Sequence, residues 1–366
     1  MGDIRTFEAS HIPGVASLTL KILRGIQAPP TPALEKYFLE IFFHNPWRGD
    51  DIQSLVYFHE GKIVGFLGVI PREMDFGGHR IRLAAATQLA VDRDLYRGFA
   101  GIELLRRFFS GPQEFSYTDG GTEAAHLSWT AAGARAASLY ALEWTRTLRP
   151  CRQLKNMVAE KSGLWRTIST AATPLAAIAD TAASKLPFRI TRKPASEYTV
   201  TETNPSGLLE VIEEIGWRAP LKPAYEPKSF HWLIAQAASA SAHGTLRLGI
   251  VSEPAGQRAG WFVYYVKRGG VSQVLQLGAR MRHFDAVLLA LFADAWRHGA
   301  TAVRGQAIPR YLTNFTLQHC GLRHIGSGVL IHSRNEELMD SILRGEAVLT
   351  RLDGEWWTRF AVTDWS

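Results

Sequence analysis

The feature that most restricts how this chain folds is an order of elements that occurs twice. Residues 4–7 carry strand chemistry and 17–24 carry helical spacing; Pro29, Pro30 and Pro32 then interrupt the chain before a second helical stretch at 34–43. Two apolar runs, 54–59 and 62–70, are joined by Glu60-Gly61, a hairpin signal, and a third run covers 80–91. Apolar residues at 102, 104, 105, 108 and 109 repeat at helical spacing, 114–118 returns to strand, 123–132 is helical up to Gly133, and 138–148 closes the series. Beyond residue 196 the series returns: strand 198–203, helices 208–215 and 230–242, strands 245–251, 260–267 and 272–279, helix 285–298, strand 302–308, short helix 313–319 and strand 327–332. A strand, two helices, three strands, helix, strand, helix, strand pattern found twice is an internal repeat of whole domains. The 366 residues suffice for two such domains. The expected boundaries are 1–154, a connector at 155–196, and 197–366.

The connector differs from what it joins. It is rich in Ala, Ser and Thr, broken by Pro174, Pro187 and Pro194, and flanked by Lys155, Lys161, Lys185, Arg189, Arg192 and Lys193. One reading is a helical linker whose stripe of Leu164, Trp165, Ile168, Leu175 and Ile178 packs on a domain. The other is an amphipathic helix lying on an anionic membrane surface. Elsewhere the composition is that of an ordinary globular protein, 46% hydrophobic and 20% charged, which excludes fibrous and disordered classes. Cys151 and Cys320 form no CxxC and no Cys/His spacing, so neither a metal site nor a disulfide framework is expected. MGDIRTFEAS has no signal-peptide character, and a cytoplasmic location is expected. The net charge of +7 tilts partners toward anions, but the basic residues are scattered and follow no nucleic-acid-binding pattern, so no nucleic-acid partner is expected.

The most informative stretch is Gln88 to Leu105. An apolar strand ends at Val91, a turn carries Arg97, Gly98, Phe99, Ala100 and Gly101, and an amphipathic helix follows at once through Ile102. Small residues let the backbone approach a ligand, and the unpaired N–H groups of a helix's first turn make a seat for a pyrophosphate, with Arg97 and Arg93 adding charge beside it. Downstream stands Ala125-x-x-Ser128-Trp129-x-x-x-Gly133-Ala134. No Walker loop, Ser/His/Asp signature or HExxH motif accompanies them.

These two stretches, in this order, resemble the acyl-CoA loop and the following helix of the GNAT (GCN5-related N-acetyltransferase) superfamily, in which Val-x-Pro-x-x-Arg/Gln-x-x-Gly-x-Gly/Ala precedes Ala-x-x-Leu-Tyr-x-x-x-Gly-Phe. Arg93 stands at the family's proline, and the glycine spacing is compressed. The resemblance covers residues 1–150. It implies an α+β fold of two GNAT-like domains, each a mixed, mostly antiparallel sheet with a splayed parallel strand pair flanked by helices. In the first domain it implies acetyl-CoA or another acyl-CoA, with Leu89 and Val91 on the pantetheine arm, Arg97 to Ile102 around the pyrophosphate and Trp129 beside them, and a parallel pair at 86–91 and 114–118. It implies transfer of the acyl group to the amine of a small molecule. The second half reads Gly278-Ala-Arg-Met-Arg-His-Phe-Asp285 where the loop would be, so that copy is expected to lack the cofactor and to wall off the acceptor cleft or form a homodimer face.

The family's thiolate-protonating Tyr is Trp129 here, which has no comparable acidic proton, and the strand Ala84-Ala85-Ala86 lacks the usual base. Asp119, Glu123 and His126 are the candidates for that base, and Tyr117 for the acid. Asp353-Gly-Glu-Trp-Trp357 reads as a compact turn where a last strand docks. A non-catalytic acyl-CoA-binding module and a membrane-surface acyltransferase remain the alternatives.

Overall fold

The structure is a computed structural model that describes residues 2–121, 123–154, 193–325 and 328–365. The proposed connector therefore lies almost wholly outside the described residues. The chain divides into two compact units, the first made of residues 1–141, 218–237 and 324–366, the second of 142–217 and 238–323.

The first unit is built on a hairpin. Glu60 and Gly61 both take positive φ, 51° and 75°, the backbone that a two-residue turn needs, and join β2 (Leu55–His59) to β3 (Lys62–Phe76). β3 then pairs along its length with β4 (His79–Val91). β1 (Asp3–Thr6) lies outside β2, and β5 (Phe115–Thr118) lies parallel to β4. Four helices complete the frame: α1 (Ile12–Thr19), α2 (Pro32–Phe38), α3 (Ala100–Phe109) and α4 (Glu123–Ala132). Leu104, Leu105, Phe108 and Phe109 recur on the α3 face that packs with Trp129, Ala84 and Ala86 in one buried cluster. β6 (Arg135–Ala136) closes the first repeat's contribution to this sheet.

The second unit repeats this order around β7 (Leu142–Thr147), β8 (Thr199–Glu202), α5 (Pro205–Ile215), β10 (Thr245–Ser252), β11 (Arg258–Val266), β12 (Val271–Ala279), α7 (Phe284–Arg297), β13 (Ala302–Gln306), α8 (Leu312–Leu317) and β14 (Gly321–His324). β12 and β13 are its parallel pair. Between α5 and β10 come β9 (Leu221–Pro223) and α6 (Pro227–Ser239); β9 adds to the far end of β3 in the first unit's sheet. β15 (Leu330–His332) and α9 (Glu336–Leu343) follow β14.

The fold class read from the sequence is the one observed, and the contiguous boundaries are not. Strand β7 belongs to the second unit's sheet, ordered β14-β7-β13-β12-β11-β10-β8, and β15 to the first, ordered β1-β2-β3-β4-β5-β15-β6 with β9 beside β3. Each repeat thus keeps the short strand after its last helix, β6 or β14, and gives the next strand, β7 or β15, to the other sheet. Two copies of one fold offer equivalent slots, so hydrophobic pattern alone does not say which copy a short strand joins. The stretch around Trp357 is a turn and not a strand.

Candidate active site

Pairing between β4 and β5 runs Leu83↔Phe115, Ala84↔Ser116, Ala85↔Tyr117 and then stops. Beyond it the strands part, as the resemblance implies. The register between β3 and β4 slips between Phe66 and Gly68, leaving Gln88 and Leu89 as a bulge, with Gln88 at φ 53°, where a side chain with a Cβ is strained. Such bulges re-aim groups at functional sites.

A cavity of about 220 Å³ opens at this fork. Thr87, Gln88 and Leu89 form one wall, Thr118, Gly120 and Gly121 the opposite one, and Ala125 and Trp129 of α4 the floor. Leu23 and Arg24, in the wide turn after α1, and Glu355, Thr358, Phe360 and Ala361 from the C-terminal segment close it. Arg24 and Glu355 are the titratable side chains among these described lining residues.

Glu355 is the group that sequence reasoning missed as chemistry, although its turn was singled out. Its carboxyl accepts from the Thr118 hydroxyl at 2.5 Å, from Thr87 and from the backbone N–H groups of Gly120 and Gln88. Burial nevertheless dominates these donors and holds the carboxyl above the usual range for glutamate. Asp119 stands directly behind. Burial, then the charge of Glu355, pushes it up to about 7, while its Oδ1 accepts the Glu355 N–H at 2.8 Å and its Oδ2 has no hydrogen-bond partner among the described residues. The approach is close enough to demand glycine: a Cβ on Gly354 would sit 2.3 Å from Asp119 Oδ2. The signal in the sequence was the Asp-Gly-Glu turn with two tryptophans, which no catalytic motif encodes.

Beside the Glu355 turn lies a buried charge cluster. Arg72 is 2% exposed, and its guanidinium lies 4.5, 5.8 and 5.6 Å from the rings of Trp47, Trp232 and Trp357. Its Nε and Nη2 have no hydrogen-bond partner among the described residues, and burial lowers its pKa to about 10. Trp357 donates from Nε1 to the carbonyl of Gly354 at 2.8 Å, one residue before Glu355. Asp353 accepts from Tyr225 and Thr350 and is pushed up to about 6, chiefly by burial. Farther along, Tyr37 accepts from Gln88 Nε2 at 3.0 Å and packs on Phe360 and Trp365.

Of the other residues singled out in the sequence, Leu89 and Trp129 line the cavity and Asp119 backs it. Glu123 and His126 do not reach it. Ala125 and Trp129 share one helical face at i, i+4, whereas His126 is turned away by about 100° and Glu123 is exposed on the first turn. Tyr117 is fully buried and packs on Phe115. In the second unit, Trp261, Tyr264 and Tyr265 are fully buried core, and Trp296 and Tyr311 pack against that unit's core.

The remaining group forms the turn into α3. Lys21 pairs with Asp92 at 2.7 Å, and Asp92 Oδ1 accepts from the N–H groups of Asp94 and Leu95, which fixes the loop where it leaves β4. Phe99 is the residue before α3, is 73% exposed and supplies no side-chain cap. The N–H groups of Ala100, Gly101 and Ile102 therefore remain for an anion, with Arg97 exposed nearby and Val91 packed 3.6 Å from where a Gly101 Cβ would lie. An acyl-CoA fits this chain at two points: an uncapped, small-residue helix start for its phosphates and a forked-strand cavity for its thioester end. No group of three or more metal-ligating side chains occurs among the described residues, and no described helix is long and apolar enough to cross a membrane.

No family model and no curated protein matches this sequence. Solved structures do match in fold. A probable N-acyltransferase from Enterococcus faecalis aligns at TM-score 0.58 and 11% identity, over 91% of this chain and 73% of its own. A GCN5-related N-acetyltransferase from Anabaena variabilis aligns at 0.56 and 12% identity, over 92% and 74%. The N-myristoyltransferase of Saccharomyces cerevisiae, solved with bound myristoyl-CoA and inhibitors, aligns at 0.51 and 11% identity, over 90% and 79%. The chain shares its fold with these structures, and each of its two sheets holds one parallel strand pair.

Proposed function

We propose, from a chain with the GNAT fold, that this protein is an acyl-CoA-dependent N-acyltransferase whose reaction takes place at the fork between β4 and β5, with Glu355 as its base. The observation that carries this reading is the placement of Glu355. It is a carboxylate with a raised pKa, fixed by four donors, in the one cavity where the parallel strands separate. A raised pKa suits a group that must take a proton near neutral pH.

In this reading Ala100 to Ile102 and Arg97 hold the phosphates, Leu89 and Val91 flank the pantetheine arm, and Trp129 floors the thioester end. The acceptor arrives as an ammonium, loses a proton to Glu355 and attacks the acyl carbon. The N–C bond forms as the C–S bond breaks, the nitrogen gives up its second proton to water, and the thiolate takes up the proton held by Glu355. Asp119 is a positioning residue that fixes the Glu355 backbone. Among the described lining residues there is no Tyr, Cys, His or Lys, so in this reading positioning and the carboxylate account for the rate.

The test is CoA thiol release from acetyl-CoA against a panel of small amines. Wild-type activity should rise with pH as Glu355 ionises, and E355Q should lose that rise together with most turnover. A wild type that binds acetyl-CoA and releases no thiol with any amine would instead favour a non-catalytic acyl-CoA-binding protein.

A further inference from the structure

The cavity is asymmetric in a way that the proposed reaction alone does not require. On the wall formed by the β4 bulge, Gln88 is 8% exposed, and its Oε1 has no hydrogen-bond partner among the described residues, because its Nε2 is committed to Tyr37. With that atom closed off from solvent, the acceptor that the cavity offers is the carboxylate of Glu355, which matches an ammonium group.

The other charged group of the lining is Arg24. Its Nη1 donates to the carbonyls of Phe360 at 2.5 Å and Thr363 at 3.2 Å, which ties the wide turn Leu20–Arg24 to the C-terminal segment that carries Glu355. Nε and Nη2 make no hydrogen bond or ion pair among the described residues. That N–H pair is the edge a guanidinium presents to a carboxylate in a bidentate contact. Fixing Arg24 through Nη1 pre-orients the edge, so little side-chain entropy remains to be lost on binding. Apolar surface from Leu23, Leu67 and Phe360 fills the space around these polar groups, and 220 Å³ is below the roughly 300–1,000 Å³ of sites for drug-sized ligands.

We propose that the acceptor is a small amine carrying its own carboxylate, an apolar α-amino acid, with its ammonium taken by Glu355 and its carboxylate by Nε and Nη2 of Arg24. This deepens the function proposed above and rests on it for the location of the acceptor, not for the recognition itself. Binding to the full chain can be read without acyl-CoA.

The experiment is calorimetry with L-phenylalanine, L-leucine, their decarboxylated counterparts 2-phenylethylamine and 3-methylbutylamine, and O-phosphoethanolamine, on the wild type, R24Q and R24K. Each amino acid should bind the wild type at least tenfold more tightly than its decarboxylated amine and more tightly than O-phosphoethanolamine. The ratio should fall to about one in R24Q and survive in part in R24K, with thermal melts confirming that both variants fold. A wild-type ratio near one, a ratio unchanged in R24Q, or preferred binding of O-phosphoethanolamine overturns the proposal. CoA release with simple amines but without preference for amino acids would overturn this inference and leave the acyltransferase reading standing. Tenfold discrimination without CoA release would do the reverse.

Discussion

The two parallel strand pairs, β4/β5 in one unit and β12/β13 in the other, show how one topology is left open in one copy and filled in the other. In the second, Trp144 lies against Gly305, stacks on Phe315 at 5.1 Å and donates to the Gln306 carbonyl. Gln276, on the strand that corresponds to the Gln88 strand, accepts from the Trp261 indole at 3.1 Å, so its carboxamide oxygen is satisfied internally. In the first unit the strands are lined by Ala86, Thr87, Gly120, Gly121 and Ala125, and the Gln88 oxygen has no hydrogen-bond partner among the described residues. The entrances to the two helices differ as well. α3 follows an eight-residue turn and α7 the short 3₁₀ turn Met281–His283 with Arg280 tied to Glu214 at 2.7 Å, although neither helix has a side-chain cap. Small residues line the first fork, where the proposed site lies, and aromatic packing fills the second.

If that contrast is right, the largest effect comes from the group that only the first copy has. E355Q should lower turnover by roughly 10²–10⁴-fold, the range for removing a general base, while acetyl-CoA affinity stays within a few-fold, measured by thiol release and calorimetry. Trp144→Ala should cost about 3–5 kcal/mol in chemical denaturation, because a large buried indole leaves a cavity, and should leave acetyl-CoA affinity unchanged. Ala125→Phe would give the first fork the filling that aromatic side chains give the second. It should weaken acetyl-CoA binding roughly tenfold or more by calorimetry with little change in melting temperature.

The smallest effect is a pH dependence. Asp119 is held up to about 7, so the folded state keeps a proton that the unfolded chain has already released. Between the unfolded value near 3.8 and 7, folding therefore loses stability as pH rises, and above 7 the loss is complete. D119N keeps an oxygen for the Glu355 N–H and removes that loss. Its melting temperature should gain on the wild type progressively from pH 4 to pH 8, and a difference that does not change with pH would contradict the assignment.

Element order, the hairpin at Glu60-Gly61 and the α3 stripe were legible because each is a local pattern of 2 or 3.6 residues. The exchange of β7 and β15 was not, since two copies of one sheet present equivalent edges to short strands. At the site, Leu89 and Trp129 followed from local motifs. Glu355 did not: it reaches Thr118 across 237 positions of sequence through a turn anchored by Arg72 and Trp357, and no spacing rule links residues so far apart. His126 was expected on the acceptor side from its place on the helix after β5, but it does not share the α4 face of Ala125 and Trp129 and does not line the cavity.

The most direct test of the account is a structure of the protein with acetyl-CoA bound. The account predicts the sulfur and acetyl group in the fork beside the Gln88 bulge, next to Glu355, with the phosphates at the start of α3. A ligand seated against β12 and β13, or phosphates at α3 with the acetyl group outside the cavity, would contradict it.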